Sequence, residues 1–462
     1  MNKIQKIQDN IEKLTGSKTF CILPWIHLAT RPNGDARLCC GANSSGVSTG
    51  DHIIGLVKKE NGQPANFGKD SLEDVFNNNY MKSVRQIMLN NEIPSSCKKC
   101  FDEEVAGVVS KRIWETNNWI EEEKIAVKEL IENTDDNGSI PEKIRYFDFR
   151  LGHTCNLKCV MCSPHDSSSW VSEHKVLYPQ FQSPELKHQL EWKQEEFNNY
   201  WYERPEFWDQ VFKQIPNIRQ IYFAGGEPLM IKEHKIFLKE IIKQGYAKNI
   251  SLRYNSNGVF LDDETIDLWT NFKLVKFSLS MDGIHDRLNY IRYPASHTEM
   301  EKILDKLDNT PDNIQPNIAA AVQILNIRHL PEFIKWKLSK NYKKINLSYA
   351  HGVQLGGGLI NLHLVWIPSY FDIRVLPLED KQKVTEAFGE LKEWLYNNYT
   401  KDNNFWIDNP YGWKRYEALL EFMNSEDRSY LMKPLLEYVK LLDKRRNLNF
   451  TKVFPEFAHW FL

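Results

Sequence analysis

The chain has 462 residues, 42% apolar and 26% charged, the balance of a globular protein with ample material for several cores. Fifty-nine Lys and Arg against 61 Asp and Glu leave a formal charge of −2, so no cationic excess points to nucleic acid or to an anionic membrane surface. No apolar run is long enough to span a bilayer, and Met1-Asn2-Lys3-Ile4-Gln5-Lys6 leads into no signal-sequence core, so a soluble cytoplasmic protein is expected.

Eight cysteines punctuate the first 162 residues, and the last 300 hold none. A disulfide framework would spread them through the chain behind a signal sequence. Tight pairs and triplets instead suggest thiolates gathered around metal. The first set is Cys21, the Cys39-Cys40 doublet and Cys97-Lys-Lys-Cys100, with Pro32-Asn-Gly34 ahead of the doublet and Ser71-Leu-Glu-Asp-Val-Phe76 ahead of the pair. Residues 103–133, with Val105, Val108, Val109 and Ile113 and then many charges, predict a linking helix. Ile144 to Leu151 predict a strand, and Cys155-Asn-Leu-Lys-Cys159-Val-Met-Cys162 follows it in a loop. Three cysteines within eight residues can hold three corners of an iron–sulfur cube, leaving the fourth iron open to a substrate or cofactor. Zinc, with His153 or His165 as a fourth ligand, is the alternative.

Residues 163–215 interrupt the pattern with Trp170, Trp192, Trp201 and Trp208, either a substrate lid or a helical pair packing its aromatics. Beyond them, candidate strands Ile221–Ala224, Ile250–Asn255, Leu274–Ser280, Ile318–Leu325 and Ile345–Ala350 alternate with helical patterns at Glu233–Lys243, Glu299–Leu307 and Pro331–Lys340. Such alternation predicts an α/β protein with a parallel sheet, a partial (β/α)6 TIM-like barrel with its chemistry at the C-terminal strand ends. The cysteine triplet, Gly225-Gly226-Glu227-Pro228, Ser256-Asn257-Gly258 and Asp282-Gly283 all fall at such ends.

The strands also alternate within themselves. Val275, Phe277 and Leu279 oppose Lys276, Ser278 and Ser280. Ile250, Leu252 and Tyr254 oppose Arg253 and Asn255, while Phe147, Phe149 and Leu151 oppose Tyr146, Asp148 and Arg150. Ile318, Ala320, Val322 and Ile324 oppose Gln323, and Ile345 and Leu347 oppose Asn346 and Ser348. A barrel packed throughout would be apolar inside; this one is expected to be open and to enclose a polar ligand. After Gly356-Gly357-Gly358 the alternation lapses. Asn361–Pro368 and Phe371–Pro377 read as extended, amphipathic helices are expected near 379–398 and 428–444, and Lys444-Arg445-Arg446 reads as a solvent-exposed helix end.

The order strand, CxxxCxxC, strand, Gly-Gly-Glu-Pro, strand, Ser-Asn-Gly, then Ser-Leu-Ser-Met-Asp-Gly resembles the radical S-adenosylmethionine (SAM) superfamily over about residues 144 to 350. The resemblance implies that Cys155, Cys159 and Cys162 hold a [4Fe–4S] cluster whose open iron is chelated by SAM. An electron then cleaves SAM to methionine and a 5′-deoxyadenosyl radical, which takes a hydrogen atom from the substrate. It further implies that Gly225, Gly226 and Glu227 meet the methionyl amino group, that Ser256 and Asn257 stand beside SAM, and that Ser280 and Arg292 reach its ribose or carboxylate. Met161 departs from the aromatic residue usual before the last cysteine.

The N-terminal set resembles the twitch form of the SPASM auxiliary domain, in which four cysteines hold a second [4Fe–4S] cluster. The resemblance implies Cys21, Cys39, Cys97 and Cys100 as its ligands; the GxxxxC spacing selects Cys39 and leaves Cys40 as a spare thiol: a hydrogen-atom donor, a small buried residue, or a ligand swapped with its neighbour. The usual order is reversed, since here the auxiliary domain comes first; zinc is again the alternative.

The expected organisation is an auxiliary domain at 1–102, a linker helix at 103–143, the barrel at 144–355 with its insertion at 163–215, and a mostly helical extension at 356–462. The expected function is a radical SAM oxidoreductase or maturase acting on a peptide or amino-acid-like substrate, with a flavodoxin or ferredoxin as electron donor. The alternatives are radical chemistry on a small polar metabolite such as an aminosugar or nucleotide, whose anionic group Arg253 and Lys276 would suit, and a non-catalytic zinc-binding scaffold.

Overall fold

The computed structural model describes residues 3–42, 55–105, 109–197, 200–347, 349–350, 353–354, 360–399 and 413–462. Its strands are β1 (His27–Thr30), β2 (Ala36–Arg37), β3 (Tyr146–Arg150), β4 (Gln220–Ala224), β5 (Ser251–Ser256), β6 (Leu274–Ser280), β7 (Ile314–Val322), β8 (Tyr349–Ala350), β9 (Val353–Gln354) and β10 (Asn361–Leu364). Eight of them form one sheet in the order β10-β7-β6-β5-β4-β3-β1-β2. The pairs β1–β3, β3–β4, β6–β7 and β7–β10 are parallel, and β2 returns antiparallel on β1. Helices Lys232–Lys243, Asp263–Trp269, His297–Asp308 and Leu330–Ser339 separate or follow the strands from β4 to β7. This is the mixed α/β architecture of a partial TIM-like barrel with a helical C-terminal region. No helix among the described residues is long and apolar enough to cross a membrane.

The chain divides into two compact units. The first comprises residues 1–153, 193–253 and 271–273, and the second 154–192, 254–270 and 274–462.

In the first unit, β1 and β2 are joined by the Pro32-Asn33-Gly34 turn, and β1 pairs in parallel with β3 in the register His27 to Tyr146. Gly34 has a φ of +89°, and a Cβ there would lie 2.8 Å from the Trp201 ring, so the turn needs glycine on both counts. The stretch expected as one helix over 103–133 is broken into Lys98–Val105, Lys111–Glu121 and Val127–Glu132. Ser110 starts the middle helix by accepting from the Ile113 amide. Val108 lies outside the described residues. The middle helix covers polar residues of the sheet: Trp119 packs 6.1 Å from Tyr146, and Arg253 lies over Trp114. Tyr146 and Asp148 are therefore buried rather than open to solvent. Trp201 and Trp208 are buried as well, Trp201 donating to the Pro32 carbonyl, so these indoles pack a core and do not form a lid.

In the second unit the expected alternation holds on β6. Val275, Phe277 and Leu279 are fully buried, while Lys276, Ser278 and Ser280 are half-buried. β7 begins four residues before the expected Ile318 and includes Pro316. Proline is tolerated there because β10 pairs with β7 only from Ala319 onward, so Pro316 has a strand on one side alone. Gln323 lies beyond the strand, in the turn that follows.

The structure corrects the expected strand at Ile345–Ala350. Ile345–Leu347 is a 3-10 turn, and Tyr349–Ala350 pairs with β9 in a separate two-stranded sheet. Its place beside β7 is taken by β10, within the segment read only as extended. Ser348 and Gly356-Gly357-Gly358 lie outside the described residues. Phe371–Pro377 contains 3-10 turns, and the C-terminal helices are Leu378–Tyr399, Lys414–Asn424 and Met432–Arg446. Lys444 and Arg445 are exposed as expected, but Arg446 is buried.

Candidate active site and cysteine cavity

In the second unit the triplet loop is held by its backbone. The hydroxyls of Ser169 and Ser167 donate to the carbonyls of Cys155 (2.7 Å) and Leu157 (2.6 Å), and the Trp170 indole donates to that of Cys159 (3.0 Å). Tyr438 donates to the Val160 carbonyl at 2.9 Å and Arg446 to that of Lys158 at 2.9 Å. The amides of Lys158 and Val160 donate to Tyr293 and Ile291. With these groups fixed, the three thiols keep their directions without a regular element beneath them.

Around the thiols the charges are arranged in pairs. The Arg292 Nε lies 2.7 Å from the Asp282 carboxylate, its Nη2 donates to the same group at 3.1 Å, and its Nη1 stands 4.0 Å from Cys159 Sγ. Asp282 also accepts from the Ala321 amide at 2.7 Å. A hydrogen bond from the Cys162 thiol holds the Cys159 pKa below its ordinary value against burial, with Arg292 adding to the effect. The same bond, with burial, pushes Cys162 up. The Asn257 amide donates to Asn156 at 2.8 Å and stands 3.9 Å from Cys155 Sγ. Ser256 accepts from the Gly258 amide at 2.9 Å, and Ser280 is half-buried at the end of β6. Cys162 borders a small cavity walled by Trp170, His174, Phe181 and Tyr438.

The glycine motif after β4 belongs to the first unit. Gly225 and Gly226 have φ values of +76° and +55°, and a Cβ on Gly225 would lie 3.0 Å from Arg150. Glu227 is buried and accepts from the Leu229 amide at 3.1 Å.

The first unit also brings together four cysteines from three separated segments. Cys21, Cys39, Cys97 and Cys100 line one small cavity, with Lys111 and Arg112 on its wall. Arg112 ties two of the three segments together. Its guanidinium binds the Lys18 and Phe20 carbonyls just before Cys21, pairs with Glu104, and lies 4.6 Å over Phe101, next to Cys100. Burial pushes up the Cys21, Cys39, Cys97 and Cys100 thiols, Cys97 to about 12, and neighbouring thiols add to the shift of Cys21, Cys39 and Cys97. Cys40 does not line the cavity. Its electrostatic neighbours are Lys111, Arg150, Tyr222 and Arg253.

Four converging thiols are donor chemistry that iron–sulfur clusters and zinc both take. Among the described residues no three His, Cys, Asp or Glu side chains are grouped as holders of a single metal ion. A four-iron cube distributes its thiolates over separate irons, so that grouping is not required of it.

Sequence reasoning missed Arg446, Tyr438, Trp170 and Arg112 as supports of these loops. Arg446 and Tyr438 lie more than 270 residues from the triplet, and no spacing rule connects them to it.

Residues 149–318 match the family model of the Radical SAM superfamily, so this stretch is a radical SAM domain, running from β3 into β7. It contains the triplet, the Gly-Gly-Glu-Pro and Ser-Asn-Gly motifs, and Arg292. Among solved structures, the chain is similar to "Native anSMEcpe with bound AdoMet" at 17% identity, over 54% of this chain and 60% of that one, with a TM-score of 0.36. It is similar to TYW1 with a lysine-pyruvate adduct bound at 14% identity, over 54% and 71%, with a TM-score of 0.25. It is also similar to Streptococcus suis SuiB bound to S-adenosylmethionine at 13% identity, over 74% and 67%, with a TM-score of 0.32. The chain thus spans less than two thirds of the first of these. No curated protein matches it.

Proposed function

We propose that this chain is a radical SAM enzyme that removes a hydrogen atom from a peptide or amino-acid-like substrate and passes an electron through a second iron–sulfur cluster. The observation that carries this reading is a radical SAM domain and a separate four-cysteine cavity within one chain. When bound, SAM and a [4Fe–4S] cluster supply reductive cleavage to methionine and a 5′-deoxyadenosyl radical.

In this reading Cys155, Cys159 and Cys162 are the ligands of the first cluster. Arg292 offsets negative charge at Cys159, and Asp282 holds the guanidinium in place for that task. Gly225 and Gly226 leave the backbone open to close approach, and Glu227 accepts from the SAM ammonium. Within the second unit, Ser256, Asn257 and Ser280 are the residues that the family resemblance assigns to SAM. Cys21, Cys39, Cys97 and Cys100 are the ligands of the second cluster, which with residues 1–102 forms an auxiliary domain. Four thiolates leave no open iron, which suits electron transfer rather than substrate binding. Cys40, as the spare thiol, is the candidate hydrogen-atom donor, and a flavodoxin or ferredoxin supplies the electron.

The test is anaerobic. The chain is reconstituted with iron and sulfide, reduced and given SAM, and 5′-deoxyadenosine is quantified beside a Cys155→Ala, Cys159→Ala, Cys162→Ala variant. Product from the native chain alone supports the reading. Bound zinc, no cluster absorbance and no product would overturn it in favour of a metal-binding scaffold.

A further inference from the structure

We propose that Lys111, held in place by Glu115, raises the reduction potential of the second cluster, an inference that rests on the reading above of Cys21, Cys39, Cys97 and Cys100 as its ligands. Lys111 lies on the wall of the cavity that these cysteines line. A Cβ on Gly41 would stand 3.5 Å from the Lys111 Cδ and 3.7 Å from Cys39 Sγ, so the lysine stem and the sulfur are separated by the space of one missing methyl group. The ammonium is anchored there. It pairs at 2.7 Å with Glu115, which is fully buried one turn further along the same helix.

Local rules disfavour a lysine at this place. Lys111 and Arg112 open the helix Lys111–Glu121, and its first turn holds no acidic residue. Cations there face the positive end of the helix dipole, which favours anions. Arg112 is accounted for by its bonds to the Lys18 and Phe20 carbonyls and to Glu104. Lys111 pairs within its own helix, and that pairing ties no segments together. At the Cys100 end of the cavity Arg112 meets Glu103 and Glu104, whereas Lys111 is the cation at the Cys39 end. Four thiolates make an iron–sulfur cube a net anion, and reduction adds one more negative charge. A cation fixed beside it in a partly desolvated place favours the reduced form. The electron taken up is supplied, in the reading above, by the substrate radical left after hydrogen abstraction, which is thereby oxidised and loses a proton to solvent.

The test is a potentiometric titration of the anaerobically reconstituted full chain without SAM, followed by electron paramagnetic resonance. The signal of the second cluster is the one that persists in the Cys155→Ala, Cys159→Ala, Cys162→Ala variant. Lys111→Met should make this cluster harder to reduce by on the order of tenfold in the equilibrium constant, about 59 mV for one electron. Lys111→Arg should keep most of the native potential, since a charge stays on the wall. Glu115→Gln should shift the potential the opposite way, because the lysine then acts without a carboxylate beside it. A potential unchanged in Lys111→Met, or lowered equally by Met and Arg, overturns the proposal. If Lys111→Met loses iron, Glu115→Gln decides alone, and an unshifted potential there overturns it. The two readings fail separately: zinc in place of iron at the four cysteines removes the second cluster itself, whereas a cluster whose potential ignores Lys111 and Glu115 removes only the tuning.

Discussion

Replacing Arg446 by Met should loosen the cysteine triplet from a distance. The guanidinium pairs with Glu173 at 2.8 Å, donates to the Lys158 carbonyl at 2.9 Å, and lies 4.7 Å over Trp170 and 4.6 Å over Tyr293. Methionine keeps much of the apolar stem but none of these polar contacts. Two charge-assisted hydrogen bonds are worth roughly 1.5–3 kcal/mol each, and desolvated cation–π contacts about 1 kcal/mol each. Lys158 still pairs with Glu173 at 2.7 Å, so the carboxylate is not abandoned. The expected loss is about 3–5 kcal/mol, below the roughly 5–8 kcal/mol sum of the separate contacts, because contacts within one network are not additive and Lys158 keeps Glu173 paired. Denaturant unfolding followed by intrinsic fluorescence measures it, and hydrogen exchange at the Lys158 and Val160 amides localises it to the loop. Burial pushes the Glu173 pKa up, but Arg446 and Lys158 more than offset this, leaving it below its ordinary 4.5. The stabilisation from that shift is therefore present above pH 4.5 and is lost as pH falls through the lower, folded value. Arg446→Met should flatten this acid-side loss, and Arg446→Lys should fall between. Unchanged stability, with unchanged exchange at residues 158 and 160, would refute the argument that Arg446 holds the loop.

Three further outcomes are expected. In the reconstituted chain Cys39→Ala should lower bound iron from about eight to about four atoms while Cys40→Ala keeps the full amount; iron analysis showing the opposite pattern would exchange the two roles. Gln323 is fully buried with neither amide atom hydrogen-bonded among the described residues, so Gln323→Leu should stabilise the chain without cofactor by about 1–2 kcal/mol. A Gln323→Leu variant that unfolds at lower denaturant would show that the amide is satisfied. Gly152→Ala should cost about 2–4 kcal/mol, because φ is +70° and the added Cβ would lie 2.3 Å from a Tyr202 ring carbon; thermal unfolding close to that of the native chain would count against the strain.

The sequence by itself determined the elements whose signals are local. Strand β6 keeps the alternation of Val275, Phe277 and Leu279 against Lys276, Ser278 and Ser280, because a period of two needs only neighbouring residues to be read. The cysteine triplet and the Gly-Gly-Glu-Pro motif were equally legible as motifs, since their residues are neighbours in the chain. What the sequence left open depends on residues far apart in the chain. Only the tertiary structure decided that Asn361–Leu364, and not Ile345–Ala350, lies beside β7, because a short edge strand is chosen by the partner it can hydrogen-bond. The tertiary structure lines one cavity with Cys21, Cys39, Cys97 and Cys100, a set the sequence reading took only from a resemblance, and Arg112 ties the segments at Cys21 and Cys100. The same holds for Arg446, exposed in any reading of its own helix, but buried once Glu173, Trp170 and Tyr293 are assembled around it. A charge run looks solvated until its neighbours are known, because burial is a property of the packed surroundings and not of the residue.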